Sequence, residues 1–183
     1  VTEALLAGNN VILKPSEYTP LTPCYIKKLW DEYSGFPTAF QIVNGDSEIG
    51  NMIVESSDID VVSFTGSTAV GRMVAKKCAE TLKPVILELG GKDPMIILKD
   101  ANIKRAVESA LFGGLSNCGQ TCISTEEVFV EEEVFDIFVD KISKRIKDIK
   151  TGAGLSSELG PMIMNKNGEK VLEHLSEIEN RCT

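Results

Sequence analysis

Two short stretches hold the side chains best suited to covalent chemistry. Leu87-Glu88-Leu89-Gly90-Gly91-Lys92 sets a carboxylate beside paired glycines at the end of an apolar run. Asn117-Cys118-Gly119-Gln120-Thr121-Cys122 sets a cysteine in a polar, glycine-containing loop. A thiolate attacks carbonyl carbon, and a separate carboxylate can take a proton from water. Together they are the two groups needed for oxidation through a thioester. They lie far apart in sequence, so only a folded scaffold can bring them to one substrate.

Each of these residues has a plainer reading. A cysteine is often a small buried hydrophobe, but Asn117, Gly119, Gln120 and Thr121 around Cys122 do not read as a core strand. Cys118 is either an inert packing residue, the preferred reading, or a partner for oxidative disulfide formation. A metal site at Cys118 and Cys122 is disfavoured, since His174 is the one histidine and no further cysteine is near in sequence. Glu88 is either an exposed strand end or a buried base whose pKa is raised by desolvation. Lys92 reads as structural.

Two further stretches suggest a nucleotide. Gly66-Ser67-Thr68-Ala69-Val70-Gly71 follows an apolar run and opens a helical one. Free amides and the dipole at a helix start favour a phosphate, although a simple strand-to-helix turn has the same pattern. The Gly66-x4-Gly71 spacing matches a phosphate-binding loop of the Walker type, but Arg72-Met73 stand where that motif needs Lys followed by Ser or Thr. The G-x-G-x-x-G dinucleotide fingerprint is absent. Lys14-Pro15-Ser16-Glu17 ends another apolar run, as a solvated turn or as a grip on ribose hydroxyls.

The elements that must position these groups alternate. Strands are expected at 10–13, 40–43, 60–64 and 84–87, with helices at 22–33, 47–55 and 68–81 between them. Thr2 to Ala7 reads as the tail of a helix stopped by Gly8. Beyond Gly90-Gly91 a strand at 94–98, a helix at 102–115, a β-rich run at 124–130 and an amphipathic helix at 133–149 follow. The basic face of that last helix reads as solvated surface rather than a binding patch. Repeated strand–helix alternation implies α/β architecture, a parallel sheet with helices on its faces. Gly90-Gly91 is the expected hinge between two lobes, and there is no internal repeat.

The 183 residues, 43% of them hydrophobic, support a real core, and the formal net charge of −8 argues against a nucleic-acid or anionic-membrane partner. No apolar run approaches the roughly 18 residues of a spanning helix, and the start does not resemble a secretory signal. Five cysteines, at 24, 78, 118, 122 and 182, are an odd number and scattered, which fits reduced thiols in the cytoplasm better than a disulfide framework. The ends, from Val1 and through Glu179-Asn180-Arg181-Cys182-Thr183, read as those of an internal piece of a longer protein.

The motifs, in this order, resemble the aldehyde dehydrogenase superfamily: Lys14-Pro15-Ser16-Glu17, Phe64-Thr65-Gly66-Ser67-Thr68, Glu88-Leu89-Gly90-Gly91-Lys92, Gly119-Gln120-Thr121-Cys122 and Leu159-Gly160-Pro161. The resemblance implies an aldehyde dehydrogenase-like fold, with residues 1–90 as most of a dinucleotide-binding lobe and 91–183 as the first part of a catalytic lobe. It implies Cys122 as nucleophile and Glu88 as the base that activates water. Coenzyme-A-acylating relatives lack that glutamate, so a free acid is the expected product. An oxyanion would be held by amides near Cys122 and by an asparagine upstream of this chain. Lys14, Ser16, Glu17, Gly66, Ser67, Leu89 and Gly90 would bind NAD, with NADP possible. The implied partners are a small aldehyde and further copies of the parent protein. The Glu88 and Cys122 motifs lean towards the succinate-semialdehyde dehydrogenase branch. Two alternatives stay open: a catalytically silent nucleotide-binding remnant, and a nucleotidase of the Walker type that the missing Lys disfavours.

Overall fold

The computed structural model describes residues 1–181, so Cys182 and the very end of the chain lie outside the described residues. The chain divides into two compact units, Val1–Glu88 and the residues from Leu89 onward. The division falls just before Gly90-Gly91.

The first unit opens with α1 (Thr2–Leu6), which Gly8 ends at φ +84° while its N–H donates to the Leu5 carbonyl at 3.0 Å. Two strand–helix–strand units follow. In the first, β1 (Val11–Leu13) and β2 (Phe40–Ile42) pair in parallel, with α2 (Leu21–Tyr33) as the crossover. Parallel strands cannot be joined by a tight turn, which is why a whole helix lies between them. Phe40 is buried and meets the Trp30 ring edge-on at 6.1 Å between centroids. α3 (Ser47–Glu55) connects to the second unit and starts at Asp46, whose side chain accepts from Glu48 N–H at 2.9 Å.

In that second unit β3 (Val62–Thr65) and β4 (Val85–Glu88) pair in parallel around α4 (Thr68–Glu80). Val62 and Phe64 alternate with Ser63 and Thr65, and Val85 and Leu87 with Ile86 and Glu88. The first member of each set packs on the core of Val54, Val74 and Cys78. The two-residue period of a strand then leaves Ser63, Ile86 and Glu88 on the opposite, exposed face.

The second compact unit repeats the plan once. β5 (Asp93–Ile97) and β6 (Thr125–Val130) pair in parallel, with α5 (Ile103–Leu115) as the crossover. α5 is capped by Asn102, which accepts from Arg105 N–H at 3.1 Å. Its buried face of Ala106, Val107, Ala110 and Leu111 packs with Ile97 and Phe138, the latter from α6 (Glu132–Lys147). α7 (Asn165–Arg181) closes the described residues. The basic end of α6 is not a uniformly free surface: Arg145 pairs with Glu108 at 3.3 Å and Glu158 at 2.8 Å.

The architecture is α/β and parallel throughout, as the alternation predicts. It differs from that expectation in one respect. Among the described residues the strands form three separate parallel pairs, and no ladder joins β1–β2 to β3–β4. Each crossover helix brings back only its own partner strand, so each strand keeps one unpaired edge.

Candidate active site

In the first unit each candidate group follows the carboxyl end of a parallel strand, the end at which open α/β folds place their ligands. Lys14 follows β1 and is half-buried. Its Nζ donates to the carbonyls of Pro15 and Gly45, each at 2.8 Å, and stands 3.8 Å from the Glu17 carboxylate. Glu17 is exposed, and Ser16 Oγ accepts from Tyr18 N–H at 3.3 Å. The stretch is therefore a built turn in which the lysine fixes the backbone and the glutamate faces water.

Gly66 and Ser67 follow β3. Gly66 N–H donates to the Glu88 carbonyl at 3.0 Å, which sets this turn directly beside the end of β4. A Cβ on Gly66 would come within 2.5 Å of the Phe64 ring, so the glycine keeps the turn bare of side chain. Ser67 caps α4: its Oγ accepts from Val70 N–H at 3.3 Å and its carbonyl from Gly71 N–H at 2.9 Å. The amides of Thr68 and Ala69 are then the ones left over at an exposed helix start, a disposition that fits a phosphate group. Glu88 ends β4 and is solvent-exposed in this unit, so desolvation is not what would equip it as a base.

In the second unit Cys122 is exposed, in the loop between α5 and β6. The approach to it is unusual. Asn117 (φ +52°), Cys118 (φ +59°) and Gly119 (φ +69°) are three consecutive left-handed residues. For the two that carry a Cβ this conformation costs roughly 1–3 kcal/mol each unless the surroundings hold it. Three contacts hold it. Gln120 Nε2 donates to the Asn117 carbonyl at 2.8 Å, Asn117 Nδ2 donates to the Gln120 carbonyl at 3.2 Å, and Cys118 Sγ donates to the Gly160 carbonyl at 2.7 Å. Cys118 is thus a half-buried tether, not only packing.

The loop's downstream end is pinned as well. Buried Ser124 donates from Oγ to the Gly113 carbonyl at 2.9 Å. A Cβ on Gly113 would meet Thr125 Oγ1 at 2.4 Å, so glycine is what lets the end of α5 approach the start of β6. The segment that receives Cys118 is braced in turn. Glu158 accepts from Arg145 at 2.8 Å and from Lys150 N–H at 3.3 Å, and these bonds hold its carboxyl below the usual carboxylate range.

Leu89 and Gly90 begin this unit, Leu89 half-buried and Gly90 exposed. Lys92 pairs with Glu126 at 3.4 Å on the surface. Among the described residues no group of three His, Cys, Asp or Glu side chains is arranged to hold a metal, and no helix is long and apolar enough to cross a membrane.

The model of the aldehyde dehydrogenase family matches residues 1–182. The chain belongs to the aldehyde dehydrogenase family. It is 40% identical over 177 residues to D-glyceraldehyde dehydrogenase (NADP(+)) of Picrophilus torridus, which covers 96% of this chain and 36% of that protein. The solved NAD+ complex of aldehyde dehydrogenase from Bacillus cereus superposes with a TM-score of 0.89 at 39% identity, over 94% of this chain and 36% of that one. Succinate-semialdehyde dehydrogenase from Burkholderia pseudomallei gives 0.87 at 38% identity, again over 94% and 36%. The chain thus spans about 36% of the length of the aldehyde dehydrogenases it resembles here.

The sequence alone gives no sign of the contacts that Gln120 and Ser124 make around the Cys122 loop. In the sequence Gln120 stands in the Gly119–Cys122 motif without a role of its own, because its second partner, Ile163, lies far downstream.

Proposed function

We propose that the protein containing this chain oxidises an aldehyde to a free carboxylic acid, with Cys122 as nucleophile, Glu88 as general base and NAD or NADP as hydride acceptor. The observation that carries this reading is the exposed Cys122 at the end of a braced left-handed turn, within a chain of the aldehyde dehydrogenase family. A position that is exposed, polar and held by side-chain contacts suits a nucleophile better than a core thiol.

The Cys122 thiolate bonds to the aldehyde carbon as the carbonyl π electrons pass to oxygen, and the resulting oxyanion is stabilised by amides of the Cys122 loop. The nicotinamide supplies the hydride acceptor when bound. Loss of hydride from that carbon leaves a thioester on Cys122. Glu88 takes a proton from water, which attacks the thioester carbonyl. The carbon–sulfur bond breaks and the acid leaves with Cys122 restored. Lys14, Ser16 and Glu17 would hold the adenosine ribose, and the turn at Gly66-Ser67 with the first amides of α4 the pyrophosphate; Leu89 and Gly90 complete the set. The substrate lean is to succinate semialdehyde or a close analogue, in a cytoplasmic homo-oligomer whose residues 1–90 and 91–183 belong to nucleotide-binding and catalytic lobes. The test is the intact protein with a panel of short aldehydes and either cofactor, followed at the NADH or NADPH absorbance band. No turnover with any of them would overturn it.

Glu88→Gln should slow deacylation far more than acylation. General bases contribute about 10²- to 10⁴-fold, so steady-state turnover should fall by about a hundredfold or more while a stoichiometric burst of NADH persists. Equal loss of burst and steady-state rates would assign Glu88 a structural role.

Cofactor choice follows from Glu17. An exposed carboxylate at the ribose accepts hydrogen bonds from two hydroxyls and repels a 2′-phosphate, the more weakly as solvent screens it. NAD should be preferred, and Glu17→Ser should narrow the preference in catalytic efficiency. A wild-type protein more efficient with NADP would refute this argument.

A further inference from the structure

The turn before Cys122 is fastened from both sides by one residue. Gln120 Nε2 donates to the Asn117 carbonyl at 2.8 Å, and Gln120 Oε1 accepts from Ile163 N–H at 3.2 Å. The Gln120 backbone N–H adds a third bond, to the same Asn117 carbonyl at 3.1 Å. The far anchor is itself fixed: Gly152 N–H donates to the Leu159 carbonyl at 3.0 Å, Glu158 is gripped by Arg145 at 2.8 Å, and Cys118 Sγ reaches Gly160 at 2.7 Å. Without that grip, Asn117 and Cys118 have an unfavourable left-handed conformation to relax from, and relaxation would swing the backbone four and five residues before the thiol. A glutamine amide has one donor end and one acceptor end, and here each is used on a different stretch of chain.

We propose that Gln120 is the positioning residue that holds the Cys122 thiol in its attacking geometry by clamping the left-handed turn to the 160–163 segment, a role that rests on Cys122 being the nucleophile. It touches no reacting atom and acts through the backbone. It should therefore govern the chemical step rather than substrate binding. A mere packing role would lower stability and leave the rate per folded molecule alone.

The test uses the intact protein. Gln120→Met keeps length and volume but removes both bonds. It should lower kcat by about a hundredfold, the scale of a displacement near 1 Å, while KM for aldehyde and cofactor stays within about threefold. Gln120→Glu keeps the acceptor for Ile163 N–H and loses the amide donor to Asn117. It should fall between, at roughly a tenfold loss, the scale of one hydrogen bond. Wild-type kcat in Gln120→Met, or a raised KM at unchanged kcat, would overturn the proposal. Should Gln120→Met not fold, wild-type kcat in Gln120→Glu would overturn it equally. If the wild type turns over no aldehyde, the activity assignment fails by itself. The clamp is then read from the rate at which iodoacetamide alkylates Cys122, located by mass spectrometry: a changed rate in Gln120→Met supports it and an unchanged rate overturns it.

Discussion

Cys122→Ser is expected to abolish turnover in the intact protein, by on the order of 10⁶-fold, the scale seen when an enzyme loses its covalent nucleophile. A serine hydroxyl forms no comparable anion near neutral pH, whereas a thiol does so readily. The substitution is nearly isosteric and Cys122 is exposed, so the fold should not change. Brief reaction with aldehyde and cofactor, then digestion and mass spectrometry, should place the acyl group on Cys122. The competing thiol in the same loop is Cys118, a half-buried residue whose sulfur is engaged with the Gly160 carbonyl at 2.7 Å. Acyl label on Cys118, or a serine variant that turns over at an appreciable fraction of the wild-type rate, would sink the assignment.

The loop around Cys122 also marks where sequence stops being informative. A cysteine among Asn, Gly and Gln reads as a loop, and Asn117 and Gly119 are residue types that enter the left-handed region easily. Cys118 between them gives no such signal. Its conformation is set by a carbonyl at Gly160 and by the Gln120 bridge to Ile163, contacts between segments some forty positions apart. Elements with a local cause were legible. α3, α4 and α5 begin where Asp46, Ser67 and Asn102 cap them. β3 starts two residues later than the apolar run suggests. Its partner β4 begins at Val85, and Leu82 at φ +55° turns the chain before that, so Asp60 and Val61 find no strand to pair with. The face taken by Glu88 was likewise open to either reading until the core of Val62, Val74 and Cys78 fixed the parity of β4.

These 183 residues, expressed alone, are expected to show no aldehyde oxidation, whatever the intact protein does. Cys122 and Glu88 belong to different compact units, and the proposed reaction needs both to meet one substrate carbon beside one cofactor. The chain spans about 36% of the length of the relatives compared, and the resemblance implies that an oxyanion donor and one wall of the cofactor cleft come from outside it. Misplacement of about 1 Å costs roughly a hundredfold in rate. Loss of one oxyanion donor costs roughly a hundred- to a thousandfold. The two losses are separate contributions to the barrier and would multiply. Unpaired edges on the three parallel strand pairs would also draw the isolated chain into self-association. The measurement is the purified 183-residue chain with NAD and short aldehydes, followed at the NADH band, with sedimentation run alongside. Turnover at rates ordinary for dehydrogenases would show that the groups needed to complete the site are already within these residues, and the placement argued for them would be wrong.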